Sequence, residues 1–148
     1  MSSIQRITMV ILMQPDLASA VSFYKNLGFK LKFYMTEKWA EFELDGVKIG
    51  FCPTSRPADA GDVRTGIVLE VDDLYALHKE LAGQVTFIGE PYEAVHGIMV
   101  SFRDPGGNIL DLYQPTPEKV KDLIKKAAAE DEAAAAGGCC GKKPDACC

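Results

Sequence analysis

The chain repeats one short pattern, and this repeat is the feature that most restricts how it can fold. Residues 10–17 read VILMQPDL, and residues 67–74 read IVLEVDDL. Each copy is an apolar run that leads into an Asp-Leu pair and then into helical spacing, as expected of a strand followed by a helix. The two halves also end alike, with GVKIGF at 46–51 and GNILDL at 107–112. A fold built by duplication has a pseudo-twofold axis, and we expect a cavity between its symmetric strands.

Both halves predict the same order of elements, which is strand, helix, strand, strand, strand. In the first half the strands are expected at 7–13, 29–35, 39–44 and 47–52, with a helix that is capped by Asp16 and stopped by Gly28. In the second half they are expected at 65–71, 85–88, 97–102 and 108–113, with a helix that is capped by Asp72 or Asp73 and ended by Gly83. The prediction is an α+β fold in which two tandem βαβββ modules form a curved mixed sheet with a cavity.

The domain organisation follows from the same pattern. We expect one domain over residues 1–116, with modules at about 6–53 and 63–116 joined by a polar linker. Residues 117–136 predict a helix with an apolar stripe at Val120, Leu123, Ile124 and Ala127. Residues 137–148 have too little apolar mass to fold alone and predict a flexible tail.

Composition excludes several classes of partner. The net charge is −5 and no run of Lys or Arg forms a basic stripe, so we expect no nucleic-acid partner. No segment approaches the roughly 20 apolar residues of a membrane helix, and the N-terminus lacks the apolar core of a signal peptide. The cysteine count is odd, and four of the five lie in the tail, which does not resemble a secreted disulfide framework. We therefore expect a cytoplasmic protein.

Alternation along the strands predicts one wholly apolar sheet face, packed under the helices, and one mixed face. The mixed face holds Met9, Ile11, Met13, Trp39, Glu41, Glu43, Lys48, Gly50, Cys52, Gly66, Val68, Glu70, Met99, Ser101, Arg103, Ile109, Asp111 and Tyr113. A cavity with convergent polar groups would explain this mixture. The alternative is a solvated face that a partner subunit covers in part.

Three motifs resemble the vicinal oxygen chelate superfamily, which includes glyoxalase I, the bleomycin-resistance proteins and the extradiol dioxygenases. They are DL followed by FYKNLGF within 16–29, EVDDL at 70–74 and FRDPGGN at 102–108. The resemblance covers residues 6–116. The DPGGN segment is itself interpreted as structural, since Pro and Gly supply turn dihedral angles.

The resemblance implies that metal-dependent members would hold a divalent ion with His and Glu from four symmetric strand positions. In this sequence those positions are Met9, Gly50, Gly66 and Asp111. Only Asp111 can bind a hard cation, whereas a zinc, nickel or iron(II) site needs about three protein ligands. We therefore expect no metal cofactor in the domain.

The chain then resembles the bleomycin-resistance type, which implies a homodimer whose second subunit completes a cavity for a small molecule. The ligand-binding candidates are Trp39 for stacking, Glu41, Glu43 and Glu70 for a cationic group, and Arg103, Asp111 and Tyr113 for orientation. The alternatives are an exposed hairpin for Glu41 and Glu43, and an ion pair with Asp111 for Arg103. Cys52 is expected to line the cavity or an interface.

An enzyme remains the alternative hypothesis, as a glyoxalase-like lyase or isomerase or a dioxygenase-type enzyme. Its catalytic candidates are Asp111 and Tyr113, with His96 from a loop beside the cavity as an acid or base. The other histidine, His78, is expected on the surface of the second helix.

The tail offers a third hypothesis. Cys139 and Cys140 are adjacent, as are Cys147 and Cys148, and Lys142 and Lys143 lie between the two pairs. Adjacent thiols suit a thiophilic ion such as Cu(I), Zn(II), Cd(II) or trivalent arsenic, and nearby lysines favour the thiolate form. Thiolates also oxidise readily, so the tail could serve a soft-metal, arsenic or redox response.

Overall fold

The computed structural model describes residues 2–55 and 62–136. Its elements are β1 (Val10–Gln14), α1 (Leu17–Asn26), β2 (Lys30–Met35), β3 (Trp39–Leu44), β4 (Val47–Pro53), β5 (Val63–Glu70), α2 (Leu74–Glu80), β6 (Thr86–Glu93), β7 (Gly97–Arg103), β8 (Asn108–Pro115) and α3 (Pro117–Ala136). The predicted α+β fold with two βαβββ modules and a C-terminal helix is confirmed.

Each module forms its own four-stranded mixed sheet. The strand orders are β1-β4-β3-β2 and β5-β8-β7-β6, so the second sheet repeats the first. The first strand of each module runs parallel to the last, and the other neighbours are antiparallel. In each module the helix follows the first strand, which lies at the edge of the sheet and pairs in parallel with the last strand.

The repeated Asp-Leu pair begins the helix in both modules. The Asp16 side chain accepts a hydrogen bond from the Ser19 backbone N–H at 3.2 Å, and Asp73 accepts one from Ala76 at 3.0 Å. These bonds satisfy amide groups that have no partner within the first helical turn. The leucine after each aspartate is buried, which fixes the helix against its sheet.

One hydrophobic core joins the two modules. The Tyr24 ring of α1 packs 4.6 Å from Phe51 of β4, centroid to centroid. The neighbouring Phe23 lies 6.2 Å from Phe102 of β7, which belongs to the other module. The helix side of each sheet thus contributes to a shared core. Because side chains alternate along strands, the opposite face of each sheet is directed away from that core.

The DPGGN turn, which the sequence marks as structural, also ties the two modules together. The Asp104 carboxylate is buried and accepts hydrogen bonds from Gln14 Nε2 at 2.6 Å and Tyr24 Oη at 2.9 Å. Asn108 donates from Nδ2 to the Met13 carbonyl at 3.0 Å. A Cβ on Gly106 would collide with the Gln14 side chain, so the turn requires glycine there. We call Asp104, Gln14, Tyr24 and Asn108 the Asp104 cluster.

The predicted boundaries of two strands differ most from the observed ones. β1 begins at Val10 rather than at Ile7, which is 88% exposed, because pairing with β4 begins at Val10 and Ile49. The strand expected at 85–88 extends over Thr86–Glu93. It continues through a register shift that contains Gly89 at φ 74° and a proline, so regular alternation is lost there. Of the expected linker, residues 56–61 lie outside the described residues.

The C-terminal helix is mostly uncovered. None of the residues of α3 is buried within the chain, and Leu123 and Ile124 are 36% and 64% exposed. Lys119 in its first turn forms an ion pair with Glu93 at 3.0 Å. None of the described helices combines the length and apolar character that crossing a bilayer requires.

Candidate functional site

The sheet faces directed away from the core carry the residues that the sequence places in a cavity. We call these two surfaces the open faces. On the first sheet, strand register aligns one row of Phe33, Glu41, Gly50 and Ile11, and a second row of Met35, Trp39, Cys52 and Met13. Several apolar members are strongly exposed, with values of 51% for Ile11, 46% for Phe33 and 49% for Met35. These two rows thus form an apolar surface around the Glu41 carboxylate, and the next row, Lys30, Glu43 and Lys48, is charged.

Trp39 lies across the middle of this face. A Cβ built on Gly50 would collide with the far edge of the indole ring and would lie 3.4 Å from Met9 Sδ. Gly50 itself is buried, although it lies on the open face. The indole of Trp39 therefore occupies the space that a side chain at position 50 would fill, and Trp39 remains partly exposed.

The two glutamates of β3 differ in their partners. Glu43 forms an ion pair with Lys32 at 3.1 Å, whereas Lys48 Nζ approaches Glu41 only to 4.0 Å. The Glu41 side chain is 12% exposed, so its carboxylate is largely withdrawn from water beside Trp39. The alternative that Glu41 lies on an exposed hairpin is therefore wrong. A carboxylate with one distant cation retains capacity for a further positive or hydrogen-bonding group.

On the second sheet, Asp111 and Tyr113 lie on one face of β8. Asp111 accepts a hydrogen bond from Ser101 Oγ at 2.5 Å, and the Tyr113 hydroxyl donates to the His96 carbonyl at 3.1 Å. The His96 ring packs edge-on to Tyr113 with centroids 5.1 Å apart. Its Nδ1 is buried and has no hydrogen-bond partner among the described residues. The structure thus brings the three catalytic candidates to neighbouring positions.

Arg103 does not pair with Asp111, and this alternative is wrong. Its guanidinium forms two hydrogen bonds to Asp62, at 2.7 and 2.8 Å. These bonds lower the pKa of Asp62 and raise the pKa of Arg103. The strand register explains the difference, because Arg103 pairs with Ile109, whereas Asp111 pairs with Ser101. Sequence reasoning missed Asp62, whose contact with Arg103 joins positions far apart in the chain.

Two other predicted positions lie elsewhere than expected. Glu70 is exposed at the end of β5, level with Tyr113 in the strand register, and also lines a cavity on the helix side. His78 is half-buried rather than fully on the surface, since its ring stacks against Phe87 at 4.3 Å. Cys52 is half-buried and carries a free thiol on the open face beside Trp39. The four tail cysteines lie outside the described residues.

The four positions that the family resemblance assigns to a metal supply a single hard donor, Asp111. Within residues 2–55 and 62–136, no three His, Cys, Asp or Glu side chains converge as metal ligands. Met9, Gly50 and Gly66 supply no hard donor, and Trp39 covers Gly50. Asp111 is the one carboxylate in the set and is hydrogen-bonded to Ser101. This donor set does not fit a resident divalent ion.

Two cavities of the single chain leave Trp39, Asp111 and Tyr113 outside, although Ile11 and Met13 of the first open face line one of them. One of about 310 Å³ lies between the modules on the helix side and is lined by Leu27, Leu69 and Leu77 among others. Another of about 340 Å³ lies where β1 passes β5. Neither is lined by Trp39, Asp111 or Tyr113. In one chain, these residues therefore lie on open surfaces.

Solved structures share this architecture. TnmS3, an antibiotic-binding protein from Streptomyces sp. CB03234, matches with a TM-score of 0.64 and 24% identity over 78% of this chain and 100% of its own. The bleomycin-binding protein of Streptomyces verticillus was solved with copper(II)-bleomycin. It matches with a TM-score of 0.60 and 23% identity over 77% of this chain and 100% of its own. The fosfomycin resistance protein FosX of Listeria monocytogenes matches with a TM-score of 0.65 and 16% identity over 82% of this chain and 99% of its own. At these identities the likeness shows the fold alone.

Sequence comparison identifies the family. No curated protein matches the chain. A family model described as the Glyoxalase/Bleomycin resistance protein/Dioxygenase superfamily matches residues 6–112, which includes both modules. The duplicated βαβββ architecture and the DPGGN turn agree with this match. The chain therefore belongs to the glyoxalase/bleomycin resistance protein/dioxygenase superfamily.

Proposed function

We propose that this protein binds a small organic molecule on its open faces, without converting it, as a homodimer whose second copy covers those faces. The observation that carries the proposal is the exposure of large apolar side chains on both sheets. They are Ile11 at 51%, Phe33 at 46%, Met35 at 49%, Val68 at 49% and Tyr92 at 55%. A contiguous exposed apolar surface is typical of a binding or association site.

The first open face suggests the chemistry of the ligand. Trp39 offers a flat aromatic surface, and the Glu41 carboxylate is largely withdrawn from water in the neighbouring row. An indole beside a poorly hydrated carboxylate favours a planar molecule that carries a positive charge. The apolar side chains of Phe33 and Met35 extend the same surface. We therefore assign the ligand to the class of aromatic cations.

The polar groups of the second sheet support binding more than catalysis. The Tyr113 proton is directed to a backbone carbonyl, and Asp111 accepts the Ser101 hydroxyl. A general acid or base must reach the proton that it transfers, and the Tyr113 proton is already donated within the chain, whereas the Ser101 hydroxyl occupies only Oδ1 of Asp111. Two structural relatives are named for binding an antibiotic or bleomycin. This favours recognition of an intact small molecule here.

The test uses Trp39, which is the only tryptophan in the sequence and therefore reports on the site alone. Titration with 9-aminoacridine, and separately with metal-free bleomycin, should change Trp39 fluorescence saturably, with calorimetry giving the stoichiometry. Glu41→Gln should weaken binding of the cationic probe by about tenfold, the effect of one charged hydrogen-bonding partner. Glu80→Gln, on the helix side, is the matched control. No saturable binding of either probe, or turnover that Asp111→Asn abolishes, would contradict the proposal.

A second proposal concerns the tail, which lies outside the described residues. We propose that Cys139, Cys140, Cys147 and Cys148 bind a thiophilic ion. The specific observation is that four thiols lie within ten residues as two adjacent pairs, with two lysines between them. Adjacent thiolates can chelate soft ions, and among residues 2–55 and 62–136 no three His, Cys, Asp or Glu side chains converge to do so.

The tail proposal is tested by elemental analysis of anaerobically purified protein, beside a version that ends at Gly137. Titration with Cd(II) and with arsenite should give binding in the full chain and none in the shortened chain. Metal in both versions would place the ion in the domain, and metal in neither after titration would refute the proposal.

A further inference from the structure

The junction between the two modules has two sides that are equivalent in a duplicated fold, but the chemistry of these sides differs. On one side the Asp104 cluster crosses the junction, because Asp104 of the second module accepts hydrogen bonds from Gln14 and Tyr24 of the first. The equivalent residues on the other side can be identified from the repeat. They line the cavity of about 310 Å³ on the helix side.

The first strand and the helix of each module supply two of these residues. The repeated segment that opens each module places Val71 where the first module has Gln14. Both helices begin at the leucine of the Asp-Leu pair, so the eighth position from the start of the helix is Tyr24 in α1 and Leu81 at the end of α2. Two hydrogen-bonding side chains of the first module are thus replaced by apolar ones in the second.

The turn between the last two strands of each module supplies the third residue. Leu44 and Asp104 each lie two positions beyond a buried phenylalanine, Phe42 or Phe102, which pairs with the last strand of its module. Leucine therefore stands where the other turn has the buried carboxylate. All three apolar replacements line the cavity, and none of them can form the hydrogen bonds that close the other side.

The cavity is apolar inside and acidic at its edge. Its apolar lining comes from both modules and includes Leu27, Phe29 and Leu77. The two charged residues in the lining are Glu70 and Glu80, and both are exposed. Neither carboxylate forms a salt bridge with any of the described residues. Both therefore retain the capacity to accept from a cationic donor.

We propose that this cavity is a second binding site, which takes a compact aliphatic molecule that carries one protonated amine. The apolar lining favours an apolar body, and the two carboxylates favour a cation beside it. The volume of about 310 Å³ lies at the lower end of the range of about 300–1,000 Å³ for small-molecule sites, so the ligand is small. The site lies on the helix side and does not include Trp39, so it is separate from the open faces.

The probe for this site is 1-aminoadamantane, which has an aliphatic cage and an amine that is charged at neutral pH. Calorimetric titration of the full chain should give saturable binding of one molecule per chain, while Trp39 fluorescence stays unchanged. Glu80→Gln should weaken binding about tenfold, the effect of one charged partner. Glu90→Gln is the matched control, because Glu90 is exposed on β6 and does not line the cavity. No saturable binding, or equal affinity in the wild type and Glu80→Gln, would overturn the proposal.

Filling the cavity provides the second arm of the test. Leu77 is half-buried and lines the cavity, so the larger side chain of Leu77→Trp should occupy the space of the probe and weaken its binding at least about tenfold. Leu123→Trp on α3 lies outside this cavity and should leave binding unchanged. Circular dichroism confirms that both variants are folded before the titration. A folded Leu77→Trp variant that binds the probe as the wild type does would refute the site.

Discussion

Trp39 and Gly50 depend on each other, because the indole ring occupies the space above the glycine. Gly50→Ala should lower the free energy of unfolding by about 1–3 kcal/mol, since the methyl group forces the ring from its position. The Trp39 emission should shift to the red as the ring moves into water. Chemical denaturation monitored by fluorescence and by circular dichroism measures both effects.

The Trp39→Ala background is the control for this prediction. There the ring is absent, so Gly50→Ala should cost nothing or stabilise the strand slightly, since glycine is unfavourable inside strands. An equal cost in both backgrounds would show that the ring is not the cause. The sequence predicted that both residues lie on one face, but their contact depends on the strand register.

Because of Tyr24, we expect the free energy of unfolding to fall at high pH. Burial raises the pKa of its phenol well above the ordinary value, and the nearby Asp104 charge raises it further. In the unfolded chain Tyr24 loses its proton near pH 10, whereas the folded chain retains it. The stability from this group is therefore complete below about pH 10 and is lost as the pH rises above that value.

The free energy of unfolding of the wild type is compared with that of Tyr24→Phe. This variant lacks the hydrogen bond to Asp104 and should be less stable by about 1–3 kcal/mol at neutral pH. Above about pH 10 the difference between the two proteins should narrow, because only the wild type loses this contribution. Urea denaturation over this range measures the difference. A constant difference across pH would show that Tyr24 is not protected from ionisation.

At the level of elements, the two helix caps should respond alike to substitution because the modules are copies. Asp73→Ala should lower the free energy of unfolding by about 1 kcal/mol, and Asp16→Ala should lower it as well. The hydrogen bonds from Ser19 lower the pKa of Asp16, so its contribution is present above about pH 4 and is lost as the pH falls through the lowered value. Thermal unfolding of both variants at neutral and acid pH measures this. A cap effect of Asp16 that persists in acid would contradict the assignment.

The elements that repeat between the halves could be predicted from the sequence, and those that do not repeat were harder. The second sheet repeats the strand order of the first, as the duplicated motifs predict, whereas the parallel pairs β1–β4 and β5–β8 themselves were not predicted. β6 was predicted too short because Gly89 and Pro91 interrupt its alternation. The Arg103–Asp62 pair is fixed by strand register and by a long-range contact, and neither has a local signal.

At the level of the whole molecule, the two copies of the proposed dimer meet through their open faces, so substitutions on these faces should weaken the association. Ile11→Lys together with Val68→Lys introduces one charge on each open face. Losing the burial of these two apolar side chains in each copy should weaken the dimer at least about a hundredfold. Sedimentation velocity over a concentration series measures the association.

Ile7→Lys is the matched control, since Ile7 is 88% exposed and lies outside both sheets. It should leave the association unchanged. A dimer that survives the double substitution would mean that the sheets are not the interface. The sequence predicted an incomplete cavity from the mixed face, but not which surface completes it, because that depends on how two copies meet.

The Asp104 cluster has a consequence for how such a chain can be built. Each described sheet takes its strands from one module only, so the modules share side chains and no backbone ladder. Half-length chains of this size bury only a marginal core on their own. Two genes, one for each half, would therefore encode fragments that stabilise each other on meeting, with the buried Asp104 carboxylate joining them. A split reporter made by dividing the chain after residue 55 is a practical form of this.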